Sequence, residues 1–449
     1  MNDSPTTLAG QLARHCLRAA DGDARARAQH HIAAWLGAAA LAAATPLATR
    51  LHAGLAGLAS PGDPWHAMLF EASLGSLYEM DDTHRQALVH PAPVIVPVAL
   101  AVARALQRFG PQVLDAMVRG YEAMIRLGMS VGPAHYRFWH NTSSCGAVGA
   151  AVAAASLLQL DEAQTTHAIC LALVQSSGLW QTRLDACDAK PWHLARTAQT
   201  GVQAAYLAKA GIRGPAHALE GEKGFYAATC PDADPPALTR PQGPHWQIFA
   251  TSFKPWAACR HAHPAIDAAL ALRQACQDQA GALPWSDVAA IEIGTYADAL
   301  AFCDRPDPVD AGEARFSLHH AVAVSLLRGS PAPDDFELSA IQDAAIARLR
   351  SLTRVALDAG CAQRYPQHFG AVVTVHWPGG VTRVEAVQDT LGDPEKPLSD
   401  SALWALAERS LTQAGWAAER RHDYLAAVRA MAGDMTGQWR AQLRPLALG

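Results

Sequence analysis

The chain has 449 residues, half of them apolar and 17% charged, and its formal net charge is −5. Because this length exceeds what one compact core usually holds, we expect two domains, and the composition excludes a disordered chain. The small negative charge, without any run of Lys or Arg, argues against nucleic acid as a partner.

The cysteines and the N-terminus bear on location. Nine cysteines are scattered without a C-x-x-C pair, which favours reduced thiols in a cytoplasmic protein over a disulfide framework or a zinc site. The first residues lack the basic and apolar segments of a signal peptide. The longest apolar stretch, 32–44, is shorter than the roughly 20 residues that span a bilayer, so no membrane association is expected.

Helical periodicity dominates the chain up to about residue 255. Apolar residues recur at helical spacing and predict helices over 25–44, 97–109, 111–127, 146–160, 162–179 and 194–210. Gly146 and Gly149, in one of these helices, would let a second helix approach closely. No Gly-Lys-Ser/Thr follows them, so a phosphate-binding loop is excluded.

The pattern changes after Lys254-Pro-Trp. A helix over 264–279, a strand over 288–296 and a helix over 318–327 are predicted, and two strand-like runs flanking Pro378-Gly-Gly predict a hairpin. From about residue 399 the chain is helical again. We therefore predict a mainly α protein with a large all-helical domain, formed by both chain ends (1–258 and 397–449), and a smaller inserted α+β domain (259–396). A cleft between two such domains is a usual place for a small-molecule site.

An acidic cluster opens the first candidate segment. Glu79, Asp81 and Asp82 stand beside Thr83, and the alternatives are functional carboxylates or a helix end followed by solvated charges. A magnesium site of the D-D-x-x-D type would need a further Asp, and residues 85 and 86 are Arg and Gln, so no metal is predicted.

Two histidines precede long apolar runs. His90 is followed by a proline, which favours an extended backbone, and His140 is followed by Asn141, Thr142 and two serines, all good helix N-caps. An imidazole beside a helix N-terminus can bind a carboxylate and exchange a proton, since its reference pKa lies near 6.5. For each histidine the alternative is a structural role at a cap or at the surface.

Further cationic groups follow. A partly buried Lys190 would pair with a substrate carboxylate or act as a base, and a solvated loop lysine is the alternative. Arg260, His261 and His263 cluster near the expected domain junction, where an arginine suits bidentate carboxylate binding. Two histidines without a third ligand are weak evidence for a metal. The histidines expected to be structural or exposed are His30, His31, His217, His319 and His320.

Seven blocks of sequence occur in an order that resembles the MmgE/PrpD family, which includes 2-methylcitrate dehydratase, cis-aconitate decarboxylase and iminodisuccinate epimerase. They span residues 79 to 399. The blocks are Glu79-Met-Asp-Asp-Thr-His with His90-Pro, His140-Asn-Thr with Gly146-Ala-Val-Gly, Lys190-Pro-Trp-His, Leu219-Glu-Gly-Glu-Lys-Gly-Phe, Lys254-Pro-Trp with Arg260-His-Ala-His, Phe316-Ser-Leu, and Asp393-Pro-Glu-Lys-Pro-Leu-Ser.

The resemblance implies a helical domain with an α+β lid, a homodimer, and a cofactor-free site between the domains that moves a proton next to a carboxylate. Matched block by block, the implied site residues are Thr83, His90, His140, Lys190 and His263, with the acids Glu79 and Asp82 nearby and a lid aromatic at Phe302. From the segments above, Thr142, Arg260 and His261 join the expected substrate-binding set.

These residues are given roles. We expect Lys190, His140 and His263 to hold substrate carboxylates, His90 or His140 to carry the proton, and Glu79 or Asp82 to orient the proton carrier. We favour a lyase, a dehydratase or decarboxylase of 2-methylcitrate-like or cis-aconitate-like substrates, over an iminodisuccinate-type epimerase. Glu79, Asn141 and Phe302 depart from the family pattern and motivate a third alternative, a non-catalytic carboxylate-binding homologue.

Overall fold

A computed structural model of the protein describes residues 7–57, 63–185, 187–241, 245–277 and 284–446. The described residues fall into two compact units. The first unit comprises Met1–Leu77, Asp81–Thr251 and Ser399–Gly449, and the second comprises Tyr78–Met80 and Ser252–Leu398. The boundaries expected from the sequence lay at 258/259 and 396/397, and the place of Tyr78–Met80 in the second unit was not predicted.

The first unit is built from helices. Its N-terminal part contains α1 (Leu8–Cys16), α2 (Gly22–Ala43), α3 (Pro46–Ala56), α4 (Pro64–Leu74), α5 (Ala92–Ala105), α6 (Gly110–Ser130), α7 (Gly132–Phe138), α8 (Asn141–Ser144), α9 (Gly146–Leu158), α10 (Glu162–Leu173), α11 (Gln181–Leu184), α12 (Ala189–Lys209) and α13 (Phe225–Thr229).

Helix α9 is almost entirely buried within this unit. Its two glycines, Gly146 and Gly149, let the neighbouring helices α6 and α12 approach closely. A Cβ added to Gly149 would meet the carbonyl oxygen of Gly120 in α6 at 2.8 Å, and one added to Gly146 would meet Cγ2 of Thr197 in α12 at 2.8 Å. The predicted close approach is therefore confirmed on two sides of α9. The stretch 141–158 is apolar and long enough to cross a membrane, but 94% of it is buried inside the protein, as is typical of a core helix.

Helix α5 begins five residues earlier than predicted. Its start was expected at Pro97, yet the helix begins at Ala92 and contains Pro97 in its interior. The backbone N–H of Ala92 donates to Oδ1 of Asp82 over 2.9 Å, so a carboxylate ten residues upstream caps the helix. This contact cannot be read from local helix signals.

The second unit carries a four-stranded mixed sheet of order β2-β1-β3-β4. Strand β1 (Ala290–Thr295) pairs in parallel with β2 (Thr353–Leu357) and antiparallel with β3 (Ala371–His376), which forms the predicted hairpin with β4 (Thr382–Val387). Strand β2 was not predicted, because Thr-Arg-Val-Ala-Leu is short and lacks a clear alternation of buried residues. The helices of this unit are α14 (His263–Gln277), α15 (Ala297–Cys303), α16 (Ala311–Arg315), α17 (Leu318–Arg328), α18 (Leu338–Ile341), α19 (Ala344–Ser351) and α20 (Ala359–Arg364).

The C-terminal segment returns to the first unit as α21 (Asp400–Gln413), α22 (Ala418–Ala430) and α23 (Trp439–Gln442). A Cβ on Gly37 of α2 would meet Cβ of Ser410 at 2.8 Å, so α21 packs closely against α2. The prediction of a mainly α protein, with a helical part drawn from both chain ends and a small sheet, is confirmed. All nine cysteines are free, and eight of them are buried.

Candidate active site

His90 lies two residues before α5, and its ring is held from one side. Its Nδ1 lies 2.8 Å from the backbone oxygen of Asp82 and 3.3 Å from Oδ2 of Asp81. Both partners are acceptors, so Nδ1 carries the hydrogen and donates it. In the neutral ring Nε2 then has the lone pair, which is the arrangement that a proton acceptor needs.

The carboxylate of Asp82 has a different task. Its Oδ2 accepts a hydrogen bond from the hydroxyl of Tyr121 over 2.7 Å and lies 2.7 Å from Nδ1 of His31, while Oδ1 caps α5 at Ala92. Burial opposes ionisation, but these partners, with His31 foremost, hold the pKa of Asp82 below its usual value. The side chain is thus a structural anion, while the backbone oxygen of Asp82 accepts the hydrogen of His90 Nδ1. Orientation of the proton carrier by the Asp82 carboxylate stays a prediction.

Glu79, the other acid expected to orient His90, belongs to the second unit. Its Oε2 lies 3.6 Å from Nζ of Lys254, whose side chain is fully buried. Asp81 is therefore the carboxylate beside His90. Asp81 was part of the predicted acidic cluster but not of the predicted site, since two adjacent aspartates cannot be distinguished without knowing which way each side chain points.

His140 stands directly before α8 and is fully buried. Its backbone N–H donates to the oxygen of Gly178 over 2.8 Å, and Gly178 has a φ of +109°, a conformation that favours glycine. Its ring packs on that of Trp180, with 4.4 Å between the ring centroids. The helix predicted over 162–179 ends early, at Leu173. The residues directly after it are therefore not helical, and Gly178 and Trp180 contact His140 from this segment.

A third histidine meets His140. Nδ1 of His193 lies 3.4 Å from Nδ1 of His140, and Lys190 precedes His193 by one turn at the start of α12. Burial, followed by the positive charges of Lys190, His193 and His90, lowers the pKa of His140 well below 6.5. Lys190, His193 and His90 are thus close enough to act on His140, and His140 is neutral at pH 7.

Thr142 and Thr83 complete the predicted residues of the first unit. Oγ1 of Thr142, in α8, accepts the backbone N–H of His90 over 3.1 Å, so the two histidine segments are joined directly. Thr83 is buried beside Asp82. Substrate contact by either threonine stays a prediction.

In the second unit, Arg260 is only 5% exposed. Its Nη2 donates to both carboxylate oxygens of Asp393, over 2.7 and 2.6 Å, and its guanidinium lies over the ring of Phe369 at 5.1 Å. Within the described residues, its buried Nε and Nη1 make no hydrogen bond. Each of these two nitrogens is suited to an acceptor such as a carboxylate oxygen, because an empty buried donor is otherwise costly.

His263 begins α14 and is fully buried. Its Nε2 donates to the oxygen of Ala258 over 3.0 Å, and its buried Nδ1 makes no hydrogen bond within the described ranges. Burial, with the charges of Arg260 and Lys254, lowers its pKa well below 6.5, against a smaller opposing effect of Glu79. His263 is therefore a neutral acceptor at Nδ1 amid cationic neighbours.

His261 and Phe302 belong to an aromatic stack. The ring of His261 is parallel to that of Phe369, at 5.3 Å, and stacks on Phe302 at 5.0 Å. Its Nδ1 lies 2.7 Å from the hydroxyl of Tyr296. Phe302 thus contacts His261 as an apolar wall, and its role as a lid over a substrate stays a prediction.

The remaining histidines were expected to be structural or exposed. His31 is buried against Asp82, His217 is exposed and pairs with Glu220 at 3.1 Å, and His320 bonds to the backbone oxygen of Asp335. Among the described residues, one group of three could hold a metal ion, namely His368, Asp389 and Glu395. None of the predicted site residues belongs to it.

A cavity of about 550 Å³ lies in the first unit, between Trp139 and Ser144, the residues 173–176 at the end of α10, and the segment 215–229. Its walls include Trp139, Ser144 and Phe225, and they are mostly apolar. None of the predicted site residues lines it, so its size alone does not identify it as the reaction site. We take the histidine cluster of the first unit and the cluster around Arg260 and His263 of the second unit as separate candidate sites, because each brings buried titratable groups together.

Comparison with known proteins adds an independent observation. The family model for the MmgE/PrpD N-terminal domain matches residues 6–238, and that for the MmgE/PrpD C-terminal domain matches residues 256–430.

The similar curated proteins are named as cis-aconitate decarboxylases or as a protein like them. Cis-aconitate decarboxylase from Homo sapiens is 29% identical over 260 residues, which is 56% of this chain and about half, 53%, of the human protein. The cis-aconitate decarboxylase-like protein oryM from Aspergillus oryzae is 24% identical over 76% of this chain and 74% of its own length. Cis-aconitate decarboxylase from Mus musculus is 27% identical over 72% and 67%.

Proposed function

Because the chain belongs to the MmgE/PrpD family, we propose that it is a cofactor-independent lyase acting on a small di- or tricarboxylate. The substrate class is that of cis-aconitate and 2-methylcitrate, and the reaction is decarboxylation or dehydration. The names of the similar proteins support decarboxylation first.

The observation that carries this proposal is the histidine cluster of the first unit. The Nδ1–H of His90 is held by the backbone oxygen of Asp82, which places the lone pair of the neutral ring at Nε2, and His140 is kept neutral by burial and by Lys190. Two imidazoles beside an ammonium can exchange protons with a carbon next to a carboxylate. A base or acid of suitable pKa contributes roughly 10²–10⁴-fold to such a step.

Each unit has its own cationic group that could bind a substrate carboxylate. In the first unit, Lys190 supplies positive charge near His140. In the second, Arg260 keeps two buried donors unsatisfied. Cationic groups of this kind stabilise the enediolate-like charge that builds up when a proton or carbon dioxide leaves the carbon next to a carboxylate.

The proton balance differs between the two lyase reactions. In decarboxylation the C–C bond electrons stay on carbon, and an imidazolium or a neutral N–H gives a proton to that carbon. In dehydration a histidine takes the proton from carbon, and hydroxide leaves with a second proton as water. An epimerase would take a proton from one face and return one to the other, and it remains the alternative.

The test uses the full chain in D₂O with cis-aconitate, citrate, 2-methylcitrate and iminodisuccinate in turn, followed by NMR. We expect product formation or C–H exchange with one of the tricarboxylates, and loss of both in His90→Gln and His140→Gln. His422→Gln, a change at an exposed histidine of α22, is the matched control. Exchange confined to iminodisuccinate would favour the epimerase, and silence with all four would favour a non-catalytic homologue.

Two further expectations stay predictions. The homodimer implied by the family resemblance is checked by light scattering of the purified full chain. The cytoplasmic location is checked by fractionation of the source cells.

A further inference from the structure

His193 has no role in the predicted site, yet it makes the closest polar contact of the His140 ring. The two Nδ1 atoms lie 3.4 Å apart, and the ring planes meet at 45°. This distance is long for a hydrogen bond, as contacts between catalytic groups often are without substrate.

The contact joins the Nδ1 atoms of His140 and His193, and this limits where the two rings can carry their protons. Each neutral imidazole has one N–H, so two Nδ1 atoms that face each other share a single proton between them. Either His140 donates from Nδ1 and keeps a lone pair at Nε2, or His193 donates from Nδ1 and His140 carries its hydrogen at Nε2. The first arrangement makes His140 a base, and the second makes it an acid.

The surroundings keep the ring of His140 in place while leaving one route for a proton. Trp180 covers one face of the ring, and the buried Nε2 makes no hydrogen bond within the described chain. The charged or titratable groups facing His140 are Lys190 and His193 from α12 and His90 from the segment before α5. Of these groups, His193 makes a polar contact with the ring of His140, and it is only half-buried, so it is accessible to solvent as well.

We propose that His193 is the positioning residue for His140 and relays protons between the Nε2 atom of His140 and water. This inference rests on the proposed function, because it assigns how the same site exchanges its proton.

The steps balance. When Nε2 of His140 takes a proton from carbon, its Nδ1 proton passes to Nδ1 of His193, and His193 releases its Nε2 proton to water. In the reverse direction His193 gains a proton from water at Nε2 and passes its Nδ1 proton to His140, which delivers its Nε2 proton to carbon. Decarboxylation consumes one proton per turnover and needs this second direction.

The catalytic test compares His193→Ala with His193→Gln. We expect kcat of His193→Ala to fall at least about tenfold, the effect of losing about 1.4 kcal/mol in the proton-transfer step, with KM within about twofold of the wild type. Added imidazole should restore kcat in a saturable manner, with a pH profile that follows the imidazole. His193→Gln should stay impaired, because an amide fills the space but does not relay a proton.

Two results would overturn the relay. One is a wild-type kcat in His193→Ala. The other is a loss that His193→Gln repairs and imidazole does not, which is the outcome of a purely structural role. His422→Gln again serves as the control for an exposed histidine.

A second measurement does not depend on turnover. In the full chain labelled with ¹⁵N-histidine and without substrate, we expect one hydrogen-bonded Nδ1–H in the pair, and a changed Nδ1 shift of His140 in both His193 variants. If the wild type turns over none of the four substrates, the proposed function fails, and this spectrum still tests the pairing. Unchanged His140 shifts in both variants would refute it.

Discussion

The backbone N–H of His90 donates to Oγ1 of Thr142 over 3.1 Å. This bond ties the segment before α5 to α8, and therefore fixes the distance between the two histidines that were expected to handle protons. The two segments are about fifty residues apart in the chain, and this bond and the one from Nδ2 of Asn141 to the backbone oxygen of Ala87 hold them together.

Thr142→Val should test the contribution of the Thr142 bond. It removes the acceptor and leaves the His90 N–H without a partner, which costs about 1–3 kcal/mol for a buried donor. We expect a lower melting temperature and a fall in kcat with little change in KM. Thr142→Ser keeps the oxygen and should behave nearly as the wild type, whereas a loss in Thr142→Ser with wild-type behaviour in Thr142→Val would mean that the methyl group, not the hydroxyl, matters.

Asp81→Asn should affect catalysis more than stability. The carboxylate lies 3.3 Å from Nδ1 of His90 and stabilises the imidazolium that forms when His90 takes a proton. A hydrogen bond to a charged group contributes about 1.5–3 kcal/mol, so kcat should fall roughly 10–100-fold. Steady-state kinetics measure the loss, and a wild-type kcat would show that His90 does not gain charge in the slow step.

Asp82→Asn, the same isosteric change one residue later, should do the opposite. It places an amide where Tyr121, His31 and the Ala92 N–H all meet a carboxylate. Removing one member of a buried charged network costs about 3–5 kcal/mol. We expect a large drop in the urea midpoint, measured beside Asp81→Asn as the matched variant. A stability equal to that of Asp81→Asn would contradict the structural role.

Arg260→Lys should weaken carboxylate binding. The lysine keeps the charge opposite Asp393 but cannot present the two N–H donors that Arg260 leaves unsatisfied. We expect KM for the accepted tricarboxylate to rise about tenfold, equivalent to about 1.4 kcal/mol. Arg354→Lys, at an exposed arginine of β2, is the control. An unchanged KM would remove Arg260 from the substrate-binding set.

Acidification should destabilise the protein through its buried histidines. Burial lowers the pKa of His135 from 6.5 to about 4. Between those values the unfolded chain binds a proton that the folded protein does not, so stability is full above pH 6.5 and falls as the pH drops toward 4. One such group contributes at most about 1.4 kcal/mol per pH unit.

His135→Gln should flatten this dependence. Urea unfolding at pH 7.5 and pH 5 measures the difference in the free energy of unfolding, which should be smaller in the variant than in the wild type. An identical difference would show that His135 titrates alike in the folded and unfolded states.

Much of the fold follows from local patterns. Helical spacing predicted α2, α6 and α9 within a few residues, and the glycines of α9 predicted its close packing, because periodicity and the lack of a Cβ act locally. Strand β2 and the early start of α5 were missed. Parallel pairing to β1 and the capping of Ala92 by Asp82 both depend on residues distant in the sequence.

In the candidate site, too, some features follow from the sequence and others only from the tertiary structure. Order and type of residue along the chain determined the family, and with it the importance of His90, His140, Lys190 and His263. Only the tertiary structure decided that Asp81 rather than Asp82 faces His90, and that His193 faces His140. The physical reason is that neighbouring side chains of equal chemistry have equal local signals, and their directions are chosen by contacts with elements far along the chain.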